Sequence, residues 1–251
     1  MRLIEIGQKY LENEDFSLNP LSDNKEANDL LCNLEHFPHA FVLGCLMDFQ
    51  IKAKKAWLIP YTVFRKLNAF SMNDLLKFKK EDFVKFFKEK GLHRFNETVG
   101  GRFYNALQKI HTEYNDNAAN IWANKPKSEE VVRRFRSFDG AGVKIATMAP
   151  NILYRRFKIP FSDLCGIDIS PDVHIRRVFK RMGYVEGNFQ NQKTNKLIIK
   201  KARDLHPEYP GIFDIGCWQI GQEFCHPKKI GRPECERCPL NDECKKFIQF
   251  E

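Results

Sequence analysis

The sequence has no apolar run long enough to span a bilayer: the longest, Ala40 to Met47, falls far short of the roughly 20 residues required. Its N-terminal stretch, charged at Arg2, Glu5, Lys9 and Glu12, does not resemble a signal peptide. The expectation is therefore a soluble intracellular protein of the cytoplasm or nucleoid, with no membrane partner. Strand signals are equally scarce, since no two alternating segments flank a hairpin turn. Eight cysteines in 251 residues are too few for a disulfide scaffold, and inside a cell they stay reduced. Collagen-like, mucin-like and low-complexity stretches are missing too, and 43% hydrophobic with 29% charged residues excludes disorder throughout.

What the sequence does carry is positive charge and helical periodicity. A net charge of +9 favours an anionic partner such as nucleic acid, against the alternative of a basic surface kept for solubility. Apolar residues recur at helical spacing over 28–35, 40–49, 54–66, 72–78, 80–90, 96–114, 128–138, 143–154, 172–182, 194–205 and 209–224. Beyond the one amphipathic helix they contain, residues 1–36 carry no readable role. Breakers stand at Pro20, Pro60, Pro126, Pro160, Pro171 and Pro207, several just ahead of a periodic run, as helix starts should be. The chain reads as all-α, long enough for one large or two small domains.

Near the C-terminus Cys225, Cys235, Cys238 and Cys244 form a C-x9-C-x2-C-x5-C pattern with Pro227, Gly231, Pro233 and Pro239 in its loops. Four thiolates on short, turn-rich chain suit either tetrahedral zinc or an iron–sulfur cluster. Zinc ribbons more often show two C-x2-C knuckles, whereas only the middle pair forms one here, so the iron–sulfur reading is preferred and zinc is kept as the alternative. Cys32, Cys45, Cys165 and Cys217 have no ligand spacing. Cys32, Cys45 and Cys217 sit among apolar helical neighbours, as small core residues do.

Ahead of the cluster, Phe138-Asp139-Gly140-Ala141-Gly142-Val143-Lys144 joins an arginine-rich helix (Arg133, Arg134, Arg136) to an apolar one. Gly140 and Gly142 allow a tight turn and close approach to a ligand, and the amides opening the second helix can hold a phosphate. A plain helix–helix turn is the simpler account of those glycines. Lys144 adds weight to the first, because the positive end of the helix dipole disfavours the charged amine and so favours a nucleophile. Downstream, Ser170-Pro171-Asp172-Val173-His174-Ile175 reads as a helix start with Asp172 in or beside the cap.

Hairpin with Lys144, helix start with Asp172, and terminal cysteine cluster, in that order, resemble the endonuclease III family of helix-hairpin-helix DNA glycosylases, over about 37–244. The resemblance implies a two-lobed fold: a six-helix lobe, 37–155, holding the hairpin, and a second lobe, 1–36 and 156–251, holding a 4Fe-4S cluster in the loop 225–244. It implies a monomer that binds double-stranded DNA containing a damaged base or abasic site, across the cleft between the lobes. Lys144 matches the lysine that attacks C1′ of the damaged nucleotide and Asp172 the essential aspartate. Gln50 resembles the glutamine that fills the gap left by the flipped base, and Leu92 the wedge. Lys228, Lys229 and Arg232, in the cysteine loop, supply phosphate contacts.

The chain departs from the family in three places. Asp139 stands where the hairpin usually has proline, the first cysteine gap is nine residues rather than six, and an insertion within 154–170 lengthens the interval from Lys144 to Asp172. Cys45 and Leu46 occupy the place of the glutamate found in adenine-excising relatives. The expectation is a bifunctional glycosylase and abasic-site lyase, with oxidised pyrimidine as the first substrate class. Its alternatives are a monofunctional glycosylase for alkylated or deaminated bases and a non-catalytic iron–sulfur DNA-binding protein.

Overall fold

The computed structural model describes residues 1–12, 20–186, 192–227 and 231–247. Among these residues there is no strand, and the α-helices are α1 Arg2–Glu12, α2 Lys25–Cys32, α3 Pro38–Met47, α4 Ala53–Leu67, α5 Met72–Leu75, α6 Lys80–Lys90, α7 Asn96–Tyr114, α8 Ser128–Arg136, α9 Val143–Arg155, α10 Val173–Arg181, α11 Gln192–Leu205 and α12 Phe213–Glu223. No helix among the described residues is long and apolar enough to cross a membrane.

The chain divides into two compact bodies: the described residues of 15–126 with 133–149, and those of 1–14, 127–132 and 150–251. The division departs from the expected lobes at three short segments. Residues 20–36 pack with the first body, because α2 buries Ala27, Leu30 and Leu31 and is tied to α4 by Lys54 with Asp23 and by the Tyr61 hydroxyl donating to Glu26. Residues 127–132 belong to the second body, where the Ser128 hydroxyl donates to Asp163 at 2.6 Å and accepts from the Gly166 amide at 2.9 Å. The end of α9 from Pro150 joins the same body through Asn151.

In the first body α3 is the centre. Every residue from Pro38 to Met47 is buried, which is why its sequence shows a continuous apolar run rather than a stripe. Around it, α6 and α7 form an antiparallel pair whose interface is a phenylalanine cluster of Phe83, Phe87 and Phe103. Pro60 does not break the chain as its position suggested. It lies inside α4, where the missing N–H leaves the carbonyl of Ala56 without its helical donor. The cap also moves α2 forward: the Asn24 side chain accepts from the Ala27 amide at 2.8 Å, so the helix starts at Lys25 rather than Asn28. α5 ends at Leu75, short of the expected Phe78.

In the second body α12 packs against α1 and α10. A 3-10 turn, Pro210–Ile212, precedes α12, so that helix begins at Phe213 rather than Tyr209. The segment containing the insertion is pinned at both ends, by Asp163 on Ser128 and by a bidentate pair of Asp168 with Arg203 at 2.6 Å per bond, and it buries Phe161, Ile167 and Ile169.

The α6–α7 contact generates a paired prediction. A Cβ at Gly100 would stand 2.9 Å from the Cα of Val84, backbone that cannot swing aside, whereas one at Gly101 meets only the flexible end of Lys80. Gly100→Ala should cost about 1–3 kcal/mol by forcing the helices apart. Gly101→Ala should instead stabilise by about 0.5–1 kcal/mol through the helix propensity of alanine. Urea denaturation of the two variants checks both signs.

Candidate functional site

The hairpin between α8 and α9 is held by side chains rather than by a rigid ring. Gly140 adopts φ 80°, which calls for glycine, while a Cβ there would meet only the flexible end of Arg102 at 2.7 Å. Gly142 meets no such limit; a Cβ there would find only Arg136, at 3.9 Å. Asp139, in the place of the expected proline, accepts from Asn105 at 3.1 Å and pairs with Arg102 at 3.6 Å. The Arg136 guanidinium donates to the Ala141 carbonyl and closes the turn. The first-turn amides of α9 then lack helical partners, the condition for holding an anion.

Lys144 stands in that first turn with its side chain 40% exposed, and its Nζ lies 3.2 Å from Oδ2 of Asp48, whose side chain is only 7% exposed. Asp48 caps the buried α3. Two residues on, Gln50 is exposed in the left-handed conformation at φ 52°. Leu92 does not fit the wedge reading, because it is a core residue at 9% exposure. The apolar side chain presented by the same loop is Phe95, 39% exposed, stacked parallel on Phe49 with Arg94 over its ring. His93 supports this shelf from beneath through Nε2 to the Phe49 carbonyl at 3.1 Å, and burial holds its imidazole below the usual histidine range.

In the second body Asp172 is the N-cap of α10. Its Oδ1 accepts from the amides of His174 and Ile175 at 2.8 and 2.9 Å, which leaves Oδ2 for other work. Behind it lies a polar network that no sequence signal had singled out. Asp214 Oδ1 accepts from the Ser170 amide at 2.7 Å, its Oδ2 accepts from Asn151 Nδ2 at 3.0 Å, and Asn151 Oδ1 accepts from the Tyr209 hydroxyl at 2.5 Å. Burial pushes the Asp214 carboxyl up to about 6, with the Asp172 charge adding to the effect.

Cys225, Cys235, Cys238 and Cys244 line one recess, partly open to solvent, together with Arg181, Phe224, Pro233, Asn241 and Lys246. No three His, Cys, Asp or Glu side chains among the described residues are gathered as a single metal ion would need them. Arg181, 1% exposed, donates to Cys225 Sγ at 3.1 Å, and Arg177 donates to the Cys225 and Gly221 carbonyls, so α10 carries both the Asp172 cap and the support of this loop. Asn241 Oδ1 is buried there without a hydrogen-bond partner. Arg232 is exposed, whereas Lys228 and Lys229 lie outside the described residues. Cys45 and Cys217 are buried, as expected of core thiols; Cys32 is half-buried and Cys165 exposed.

Solved structures with this fold are known. The chain superposes on a thermostable thymine-DNA glycosylase with TM-score 0.62 at 16% identity, covering 98% of this chain and 96% of that one. It superposes on a trapped endonuclease III–DNA covalent intermediate with TM-score 0.58 at 17% identity (97% and 92% covered), and on a non-covalent endonuclease III–DNA complex with TM-score 0.56 at 17% identity (96% and 94%). The chain has the helix-hairpin-helix DNA glycosylase fold. No protein-family model matches the sequence, and no curated protein does.

Within this glycosylase fold, Asp48 and Asp214 are the residues that sequence reasoning missed. Each is a lone acid in an otherwise apolar helical stretch, Cys45-Leu46-Met47-Asp48 and Phe213-Asp214-Ile215, and that mismatch was the available signal. The Asp48–Lys144 pair is asymmetric in exposure, which predicts asymmetric mutants. Lys144→Met strands a buried carboxylate and should cost about 1–3 kcal/mol, whereas Asp48→Asn strands only a partly solvated amine and should cost less than about 1 kcal/mol. Chemical denaturation at neutral pH checks the order.

Proposed function

We propose that the protein is a DNA glycosylase of base excision repair that also cleaves abasic sites through Lys144. The observation that carries this reading is Lys144 itself: a half-exposed amine in the first turn after a glycine hairpin, fixed in place by the buried carboxylate of Asp48. The similarity to structures of a trapped endonuclease III–DNA intermediate and a thymine-DNA glycosylase supports it.

A stacked base is out of reach, so the damaged nucleotide is first extruded, at a cost of a few kcal/mol that is smallest for a damaged pair. The N-glycosidic bond then breaks with its electron pair leaving on the base, and C1′ gains oxocarbenium character. Asp172, one oxygen fixed by backbone amides and the other available, stabilises that charge. Lys144 first gives a proton to the Asp48 carboxylate 3.2 Å away; the freed amine forms the bond to C1′, the C1′–O4′ bond breaks as the nitrogen's proton passes to O4′ to leave an imine, a proton leaves C2′, and the 3′ phosphate departs by β-elimination. The amides opening α9 and the exposed Arg232 contact phosphates without reading sequence. The first substrate class we assign is oxidised pyrimidine.

Under the same reading the four clustered cysteines hold a 4Fe-4S cluster. A recess bordered by four thiols, with the Arg181 guanidinium donating to one of them, has the all-sulfur donor set that an iron–sulfur centre takes. The cluster supplies covalent cross-links that hold the loop and take no part in bond cleavage.

A monofunctional glycosylase is the second reading, and one observation favours it: an amine facing a carboxylate is arranged as an ammonium contact to phosphate as readily as a nucleophile. Borohydride trapping on duplex DNA with one abasic site separates the two. Wild type should give a covalent adduct that Lys144→Ala abolishes, with Asp172→Asn slowed in both base release and trapping. Base release without an adduct would establish the monofunctional reading, and activity retained in both variants would remove both residues from the site. Purified protein should be brown, with iron and acid-labile sulfide in equal amounts; a colourless protein with stoichiometric zinc would overturn the cluster.

A further inference from the structure

Asp214 takes no part in the steps above, yet it is bonded to the backbone immediately ahead of Asp172. We propose that Asp214 is a positioning residue, clamping the Ser170-Pro171-Asp172 turn through the Ser170 amide so that Asp172 is held as the cap of α10 with one carboxylate oxygen available. The inference rests on the role given to Asp172.

The geometry makes the clamp specific. Pro171 supplies no amide, so the Ser170 N–H is the nearest backbone donor on the N-terminal side of Asp172, and it goes to Asp214 Oδ1 at 2.7 Å. The Ser170 hydroxyl also bonds this carboxylate, and its other oxygen is taken by Asn151 Nδ2. Asn151 cannot flip to suit a different partner, because its Oδ1 already accepts from the Tyr209 hydroxyl and its Nδ2 also donates to the Gly211 carbonyl at 2.9 Å. Only a side chain with two acceptor oxygens satisfies Ser170 and Asn151 together. An asparagine at 214 would turn its own N–H₂ against one donor or the other.

Ionisation adds a second signature. The groups that sense Asp214 are Asp172 on the clamped turn, Arg155 from α9, Tyr209, and Cys217 on its own helix. Burial leads in raising its carboxyl from 3.8 to about 6. A carboxyl raised on folding contributes stability below about pH 4 that is lost as pH rises through 6. The clamp runs the other way, because an ionised carboxylate is the stronger acceptor for the Ser170 amide. Activity should therefore rise through pH 6 while this group's contribution to stability falls, a divergence that a merely structural carboxylate would not give.

The test uses the full chain. Asp214→Asn should slow single-turnover trapping on abasic duplex by roughly a hundredfold, the scale of a small misplacement of a reacting group. It should leave duplex affinity within about twofold and abolish the limb near pH 6 in the rate profile, together with the matching fall in stability relative to wild type. In isotope-labelled wild type the Ser170 amide resonance should titrate with a midpoint of about 6, a readout that needs neither a folded variant nor any activity. A Ser170 resonance flat from about pH 4.5 to 7.5, or a variant with the wild-type rate and profile, would overturn the clamp. If Asp172→Asn proves fully active, the role given to Asp172 fails instead, and the Ser170 titration still decides whether Asp214 grips the turn.

Discussion

Complete burial of α3 is the constraint from which the chemistry of the first body follows. A helix with no solvent face must still end, and its last carbonyls and its cap require polar company. Asp48 provides that end at 5% exposure, and a carboxylate withdrawn from water without a counter-charge costs several kcal/mol. Lys144 supplies the counter-charge from a position 96 residues away. The amine is therefore located by the packing of the core: the hydrophobic burial that folds this body also fixes the height of the α9 start above α3. An exposed lysine of the same helix would have had no such anchor.

Three carboxylates illustrate how environment divides one functional group among several tasks. Asp48 is buried and answered by a cation. Asp172 is half-buried and answered by two backbone amides, which fix its orientation and leave it an oxygen to offer. Asp214 is answered by one amide and two neutral side chains, Ser170 and Asn151, and burial, with the Asp172 charge adding, raises it toward the physiological range. Sequence marks Asp48 and Asp214 only as lone acids among apolar residues and Asp172 only as a helix cap. Their differences arise from what tertiary structure places opposite each oxygen.

That is also where legibility from sequence ended. The hairpin glycine, Lys144, the Asp172 cap and the four cysteines are read locally, because a turn, a helix start and a ligand loop are encoded within a few residues. The helices follow from periodicity for the same reason, and the errors are those that propensity makes. Pro60 was weighed as a breaker, but the packing of Trp57, Ile59 and Val63 carries α4 through it. Position alone points to Leu92 as the wedge, but tertiary packing buries Leu92 and leaves Phe95 exposed, a choice no local pattern encodes. The membership of residues 20–36 turned on Asp23 and Glu26 finding Lys54 and Tyr61 on another helix. The partner of Lys144 and the carboxylate that bonds the turn ahead of Asp172 are not legible locally, because each lies far along the chain.

At 16–17% identity the fold persists over nearly the whole chain, although no family model matches the sequence. The departures show how this is possible. A proline fixes a hairpin by covalent restriction of φ, and here Asp139 replaces that restriction with ties to Asn105 and Arg102, while Arg102 also fills the space that Gly140 leaves open. The segment ahead of Asp172, where an insertion is expected, is held in the same manner, by Asp163 on Ser128 and Asp168 on Arg203, and so is anchored to α8 and α11. In each case a local rule is broken and a longer-range polar contact restores the geometry. What the fold requires is a turn of a given shape at a given place. Several side-chain solutions meet that requirement, and so sequence similarity decays well before structural similarity does.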